Sequence, residues 1–367
     1  MQTKWRIEDL IDLEYFLHLD ATDPRGPFDG QYHQRDREIY LQHIAPALTE
    51  NGAAPQSRPV IIKRWLERRR QRAAGDRAVL PGDLFTETTR LMGWGAAAAG
   101  LLTGAGLALS LLSYSGTRPV NISLVFGVLV GLQLLMLLFL PFLFALRTLK
   151  GGGARHALPY PILGRLLVKM LLKIKTRAAG TRAADQRNVL AAVGGIFAEK
   201  RRVYGLLFFW PLFLIAQVFS IAFNSGSLAA ILIRVLTTDL AFGWQSTLQI
   251  SARTIHMVVG WISLPWAWLV PADIACPTLA QIEGSRMILK DGMMQLTTPA
   301  LVSWWPFLCL AIFAYGLLPR LMLWAAGRLA RNHALSRLDF THSACGRLLR
   351  RLQTPILQTR GTAAEAG

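Results

Sequence analysis

Four long apolar stretches, at 91–114, 120–146, 203–224 and 300–325, constrain this chain more than any other feature. Crossing the roughly 30 Å hydrocarbon core of a bilayer takes about 20 helical residues. Each stretch meets that length, and lipid leaves a spanning backbone no choice but to bond internally, as a helix does. Only Arg118 stands in the turn between the first two, which makes them a hairpin. Composition agrees: 52% of residues are hydrophobic and 17% charged, against about 25% charged in soluble domains. Cys276, Cys309 and Cys345 are too few for a disulfide scaffold. The first 30 residues lack the apolar run of a signal peptide. The expected fold is all-α, a polytopic membrane protein with about four transmembrane helices.

The chain carries 40 Lys+Arg and 22 Asp+Glu, a net +18 that is unevenly spread. Residues 1–90 hold 14 of each sign, and 225–299 hold 4 of each. The excess sits in 147–202, with 13 basic and 2 acidic residues, and from Arg320 onward, with 8 and 2. Lys and Arg near span ends stay on the cytoplasmic side. Arg147, Lys150, Arg155, Lys200, Arg201, Arg202, Arg320, Arg328 and Arg331 therefore predict cytoplasmic termini and an outward-facing 225–299.

These boundaries give a helical cytoplasmic region (1–90), a transmembrane hairpin (91–146) and a basic cytoplasmic loop with an amphipathic helix (147–202). A third span (203–224), an outer Trp- and Pro-rich segment (225–299), a fourth span (300–325) and a basic cytoplasmic tail continuing its helix (326–367) follow. In the outer segment, 227–245 carries Arg234 and Asp239, and 255–270 carries Pro265 with Trp261, Trp266 and Trp268. Both are short for a span and read as amphipathic or re-entrant helices at the outer interface, where Trp is favoured. If both crossed, there would be six spans. Glu283, Arg286 and Lys290 fit an ion-pair ladder on one helical face.

Within the N-terminal region, helices are expected at 5–19, 35–48 and 60–73, with a break at Pro81-Gly82 before the first span. In the basic loop, Arg165, Lys169 and Lys173 recur every fourth residue, opposite a leucine-rich face. Such a helix suits the anionic inner leaflet; the alternative is ordinary packing on the N-terminal region. Aromatic platforms for nucleic acid are missing, so no nucleic-acid partner is expected. Ala96, Gly100 and Gly104 in the first span, and Gly127 and Gly131 in the second, have the small-residue spacing of close helix packing, within the chain or in a homo-oligomer. Gln133 and Gln217 are amides that would bond to a neighbouring helix. No span has a charge at its centre, which weighs against a proton-coupled transporter. Phosphate-binding loops, His-Glu-x-x-His, Gly-x-Ser-x-Gly and Cys-x-x-Cys are all missing, and the seven His are scattered. The chain thus reads as no enzyme and as needing no cofactor. An outer set of Arg253, His256 and Asp273 is the weaker, enzymatic reading.

Several strings carry a resemblance: Asp-Leu-Ile-Asp-Leu-Glu-Tyr-Phe-Leu at 9–17, Gln-Arg-Asp-Arg at 34–37 and Ala-Phe-Gly-Trp-Gln-Ser-Thr at 241–247. Pro-Trp-Ala-Trp at 265–268, the stretches 281–286 and 303–307, and Tyr-Gly-Leu-Leu-Pro-Arg at 315–320 extend it. From Trp5 to about Arg320 the chain resembles an uncharacterised bacterial inner-membrane family, a domain of unknown function often encoded beside an Era-like GTPase. The resemblance implies a multi-pass inner-membrane location and a GTPase partner, with the acidic residues Glu8, Asp9, Asp12 and Glu14 and the basic loop as cytoplasmic docking surfaces. The expected function is a non-enzymatic scaffold or membrane effector of a GTPase-linked complex; the alternative is a channel or transporter subunit with 225–299 as outer gate. If the loop helix meets the inner leaflet, replacing Arg165, Lys169 and Lys173 by Glu should weaken binding of the 162–175 peptide to anionic vesicles in a sedimentation assay. Unchanged binding would contradict it.

Overall fold

The computed structural model describes residues 4–22, 30–46, 57–75, 80–113, 119–149, 207, 209–245, 250–287 and 298–354. The basic-loop residues Arg165, Lys169 and Lys173 lie outside them. Nearly all regular structure is helical. The elements are α1 (Ile7–Thr22), α2 (Gly30–Ile39, continued by a π-helical turn Tyr40–Ile44), α3 (Arg58–Gly75), α4 (Pro81–Leu111), β1 (Val120–Asn121) and α5 (Ile122–Phe126). After a π-helical turn at Gly127–Gly131 come α6 (Leu132–Leu149), α7 (Phe209–Thr237), β2 (Phe242–Gly243), α8 (Ala252–Ser263), α9 (Ala272–Ala275) and α10 (Leu279–Gly284). The chain closes with α11 (Thr298–Val302), α12 (Trp304–Ala311), a π-helical turn Ile312–Leu317, α13 (Leu318–Ser336) and α14 (Ser343–Gln353). Among the described residues four helices are long and apolar enough to cross a membrane: Pro81–Leu111, Ile122–Phe139, Trp210–Thr237 and Ala300–Ser336.

The chain divides into two compact units. Among the described residues, the first unit takes 4–90, 207–210 and 329–354, and the second takes 91–149 and 211–328.

In the first unit, α1 buries Leu10, Leu13 and Phe16, α3 buries Ile62, Trp65 and Leu66, and α14 buries Cys345, Leu348 and Leu352. This corrects the expectation of a tail that merely prolongs the fourth span. The helix ends at Ser336, and a separate helix follows with its apolar face buried. Phe340, in the connection, has a φ of 50° and packs against Trp5, the ring centroids 4.4 Å apart and the planes tilted by 40°. A bulky residue with positive φ costs on the order of 1–3 kcal/mol and persists only where packing holds it. Pro81 begins α4 rather than breaking the chain, because a first-turn proline loses no helical hydrogen bond.

The second unit is held by backbone approach. A Cβ on Gly100 would lie 2.3 Å from Phe219 O, and one on Gly104 would lie 2.0 Å from Phe223 O. Gly226 returns the contact, 2.3 Å from Leu101 O by the same measure. Ser227 Oγ donates to Gly104 O at 3.0 Å. The first-span stripe therefore packs on α7, with Ala96 half-buried one turn earlier. Gly127 and Gly131 do otherwise: a Cβ at Gly127 meets nothing within 4 Å, and one at Gly131 meets only Phe126 O at 3.9 Å. Their spacing falls in a π-helical turn, where it no longer aligns the two residues on a neighbour.

Two boundaries differ from expectation. The third helix runs through Thr237, absorbing most of the first apolar stretch of the outer segment. Arg234 falls in its last turn, where a cation complements the helix dipole. Position 226 is tolerated because only glycine fits against Leu101. Glu283 and Arg286 do not share a helical face as expected: α10 stops at Gly284, and Arg286 pairs with Trp244 in an isolated parallel bridge, while Lys290 lies outside the described residues.

Glycine 104 and glycine 127 should thus respond differently to one methyl group. Gly104→Ala should destabilise by ~1–3 kcal/mol through overpacking, lowering the Tm of the detergent-solubilised protein. Gly127→Ala should leave it near the parent value; equal losses would contradict the packing.

Candidate functional site

The densest polar chemistry lies in the first unit, where α1, α2, α3 and α14 meet. Asp20 accepts from Arg35 Nη2 at 2.8 Å, Arg69 Nη2 at 3.2 Å and Arg351 Nη2 at 3.0 Å. Asp36, fully buried, accepts from Arg35 Nε at 3.0 Å and from the Trp65 indole at 3.0 Å, and Arg351 Nε lies 3.0 Å from its second oxygen. Two carboxylates thus face three guanidiniums. The excess is felt at Arg69, which burial and the neighbouring Arg35 push down to about 10. Part of the deficit is met by aromatic faces, with the Arg69 guanidinium 4.7 Å from the Phe16 ring centroid and 5.7 Å from that of Trp65.

A second cluster adjoins the start of α4. Asp12 accepts from Arg70 Nε at 2.7 Å and from Gly82 N at 2.6 Å. A carboxylate on the first-turn amides of a helix is favoured by the helix dipole. Gly82 permits the approach, since a Cβ there would lie 2.6 Å from Glu8 O and 2.7 Å from the Asp12 carboxylate. Burial nevertheless holds Asp12 above the usual carboxylate range, against the pull of Arg70. Asp9 accepts from Arg6 N at 2.8 Å and Arg70 Nη1 at 2.6 Å, and pairs with Lys63. Glu8 accepts from Thr86 Oγ1 at 2.7 Å, and Glu14 pairs with His342 Nε2 at 3.1 Å.

This changes the reading of the acidic first helix. Asp9, Asp12 and Glu14 are buried and bonded inside the unit, so they form no open docking face. Only Glu8 keeps appreciable exposure, at 24% of its side chain. Lys63 and Arg70 lie seven residues apart on α3, opposite two carboxylates three apart on α1. Each pair keeps to one face of its helix, and that same-face placement of opposite charges on α1 and α3 was the available signal. Arg35, Asp36 and Arg37 stood in the quoted strings without a role. Arg37 Nη1 donates to Leu352 O at 2.8 Å and Gln353 O at 3.0 Å, closing the end of α14.

Chemically the arrangement is a clasp. His342 Nε2 lies 3.1 Å from Glu14 Oε1 and 3.3 Å from the buried Cys345 Sγ. A thiol–imidazole–carboxylate relay uses both ring nitrogens, whereas here both partners meet the same one. Among the described residues no three His, Cys, Asp or Glu side chains converge as a metal site requires. Arg253 and Asp273 are exposed and His256 is half-buried in the second unit, with none of the bonds among the three that a catalytic set would need.

Inside the second unit the main polar feature is an amide pair. Gln133 Nε2 donates to Asn224 Oδ1 at 2.9 Å, and Asn224 Nδ2 donates back to Gln133 Oε1 at 3.0 Å. Asn224 is fully buried, and a Cβ on Gly316 would lie 2.2 Å from its oxygen. Gln133 bonds as the sequence implied, and its partner Asn224 stood at the last position of the expected span; Gln217, by contrast, is buried in α7 with a side-chain oxygen that meets no donor among the described residues.

Removing one member of the first-unit clasp should separate its terms. Asp36→Ala leaves three guanidiniums on one carboxylate and should cost about 3 kcal/mol or more. Arg69→Met keeps the aromatic packing and removes the least compensated charge, so it should cost about 1 kcal/mol or less. Denaturant unfolding of the full chain in detergent checks the order; an equal or reversed order would contradict it.

No curated protein and no solved structure matches the chain. The family model described as "Protein of unknown function (DUF2868)" matches residues 165–367. That range is just over half of the chain; it starts later than the resemblance read from the sequence and continues past Arg320 through α14. The chain belongs to the DUF2868 family of proteins of unknown function.

Proposed function

We propose that this protein is a non-enzymatic, integral inner-membrane component that holds a soluble adaptor unit at the cytoplasmic face and serves a GTPase-linked complex. The observation that carries this reading is the clasp. Residues from both ends of a chain with four membrane-crossing helices close into one unit, and α14 is bonded to α1 and α2 through Arg351, His342 and Arg37. Such a unit offers a stable outer surface rather than a reactive pocket. The distribution of Lys and Arg supports its cytoplasmic placement. The GTPase partner comes from the family resemblance, and nucleotide hydrolysis belongs to that partner, because this chain has no phosphate-binding loop. Anionic lipid at the basic loop is the second expected contact.

With the acidic face of α1 committed internally, the outer face of α14 is the better docking surface. Arg347 and Arg350 are exposed there, while Ala344, Cys345, Leu348 and Leu352 on the opposite side are buried. The full chain should co-purify in detergent with an Era-like GTPase of the kind the family resemblance implies. Arg347→Glu with Arg350→Glu should reduce the retained partner by about tenfold, as for loss of charge-assisted contacts, without lowering Tm. Solute flux through the purified protein alone in liposomes, together with no retained GTPase, would contradict the proposal and favour a channel.

A further inference from the structure

α8 and the turn after it have an apolar outer face that the second unit leaves uncovered. Trp261 and Leu264 are each 65% exposed, Trp268 77% and Leu269 66%, and Met257 and Val258 lie beside them on α8. The other face is anchored: Trp266 is buried, its ring 5.9 Å from Phe307 and 5.8 Å from Tyr315. Polarity is graded along the segment. Ser251 caps α8, and Arg253 and Thr254 are exposed in its first turn, whereas the far end is apolar.

We propose that α8 and residues 264–270 form a wedge inserted into a single leaflet, with Trp261, Leu264, Trp268 and Leu269 covered by lipid at the headgroup–acyl boundary. The depth follows from Tyr315. It precedes Gly316, which meets Asn224 midway along the 29-residue α7, so Gly316, Asn224 and Gln133 mark one level near the middle of the bundle. A helical side chain leans toward its helix N-terminus. Tyr315 therefore reaches from that level toward the end where α12 begins, and there its hydroxyl donates to Ile262 O at 2.8 Å. Ile262 accordingly sits within one leaflet, short of the middle. The 12 residues of α8 rise about 18 Å, too little to cross roughly 30 Å of hydrocarbon.

The hydrogen bonding suits that depth. A helix end leaves carbonyls that water would otherwise satisfy, and here side chains donate to them. Tyr315 serves Ile262 O, the Trp268 indole serves Pro265 O at 2.9 Å, and the Trp266 indole serves Ala275 O at 3.0 Å. Internal satisfaction of this kind is what a lipid-facing turn requires. An apolar patch of this character in water would mark an association site; against lipid it is matched to its surroundings. The inference rests on the membrane-spanning helices and not on the GTPase, so the co-purification result neither supports nor removes it.

The test uses full-length protein in liposomes, with Cys276, Cys309 and Cys345 replaced by Ser and one cysteine added by Arg253→Cys, Leu264→Cys, Trp268→Cys or Asp273→Cys. Positions 264 and 268 should react with a membrane-impermeant maleimide about tenfold more slowly than 253, as expected for a helix embedded at the interface. A bimane at 264 or 268 should be quenched most by lipids with a spin label on a shallow acyl carbon. Positions 253 and 273 should label from the same side. Fast labelling at 264 and 268 would overturn the wedge, as would shielding from both maleimide and lipid quenchers, which means a protein covers the patch. Labelling of 253 and 273 from opposite sides would show a crossing segment and overturn it equally. The four side chains replaced by cysteine are exposed, whereas Cys345 is buried and Cys276 and Cys309 are half-buried, so an unchanged Tm of the cysteine-free background and of each variant separates these outcomes from misfolding.

Discussion

A polar backbone group in hydrocarbon has no water to turn to, and the second unit is organised around that fact. Its helices meet where a glycine exposes one backbone to another. Gly100 and Gly104 face the carbonyls of Phe219 and Phe223, and Gly226 faces that of Leu101. Hydrophobicity cannot drive such contacts, because lipid is as apolar as leucine; close packing and a few internal hydrogen bonds do. The Gln133–Asn224 pair is the clearest of these, with two side-chain amides making four hydrogen bonds to each other and to backbone carbonyls one turn earlier. Gly316 makes room for it. Similarly, at α8, the turn after it and α9, indole and phenol groups serve carbonyls left at helix ends.

The first unit solves the opposite problem. It has charge in abundance, and its packing brings charges out of water together. Burying a pair is close to neutral on balance, but leaving one partner alone is costly. Asp12 shows the balance within one residue: burial raises its affinity for a proton, while Arg70 and the Gly82 amide oppose that. The result specifies geometry more than it adds stability. Arg351 finds Asp20 and Asp36 in only one placement of α14, so the network fixes how the end of the chain meets its beginning.

Much of this was legible in the sequence, for physical reasons. Apolar runs of membrane length declared the four helices, and the stripe of Ala96, Gly100 and Gly104 declared a close contact. Gln133 declared a buried amide. Other features depend on what comes opposite, which one chain's pattern does not carry. Gly127 and Gly131 have the right spacing but fall in a π-helical turn. Arg234 and Asp239 set 227–245 apart from the third span, yet a last-turn arginine prolongs a helix comfortably. The acidic residues of α1 looked like a surface until Lys63, Arg70 and His342 were placed beside them. The tail looked like an extension because the turn at Phe340 rests on a tilted ring contact with Trp5 rather than on a glycine or proline.

The central claim is that Gln133 and Asn224 bond to one another inside the bundle. A double-mutant cycle on Gln133→Ala and Asn224→Ala, measured by reversible unfolding of the full chain in micelles, tests it most directly. The pair should show a coupling of about 1 kcal/mol, with the double variant losing less than the two single losses combined. Strictly additive losses would mean that the two amides do not meet, and would contradict the account.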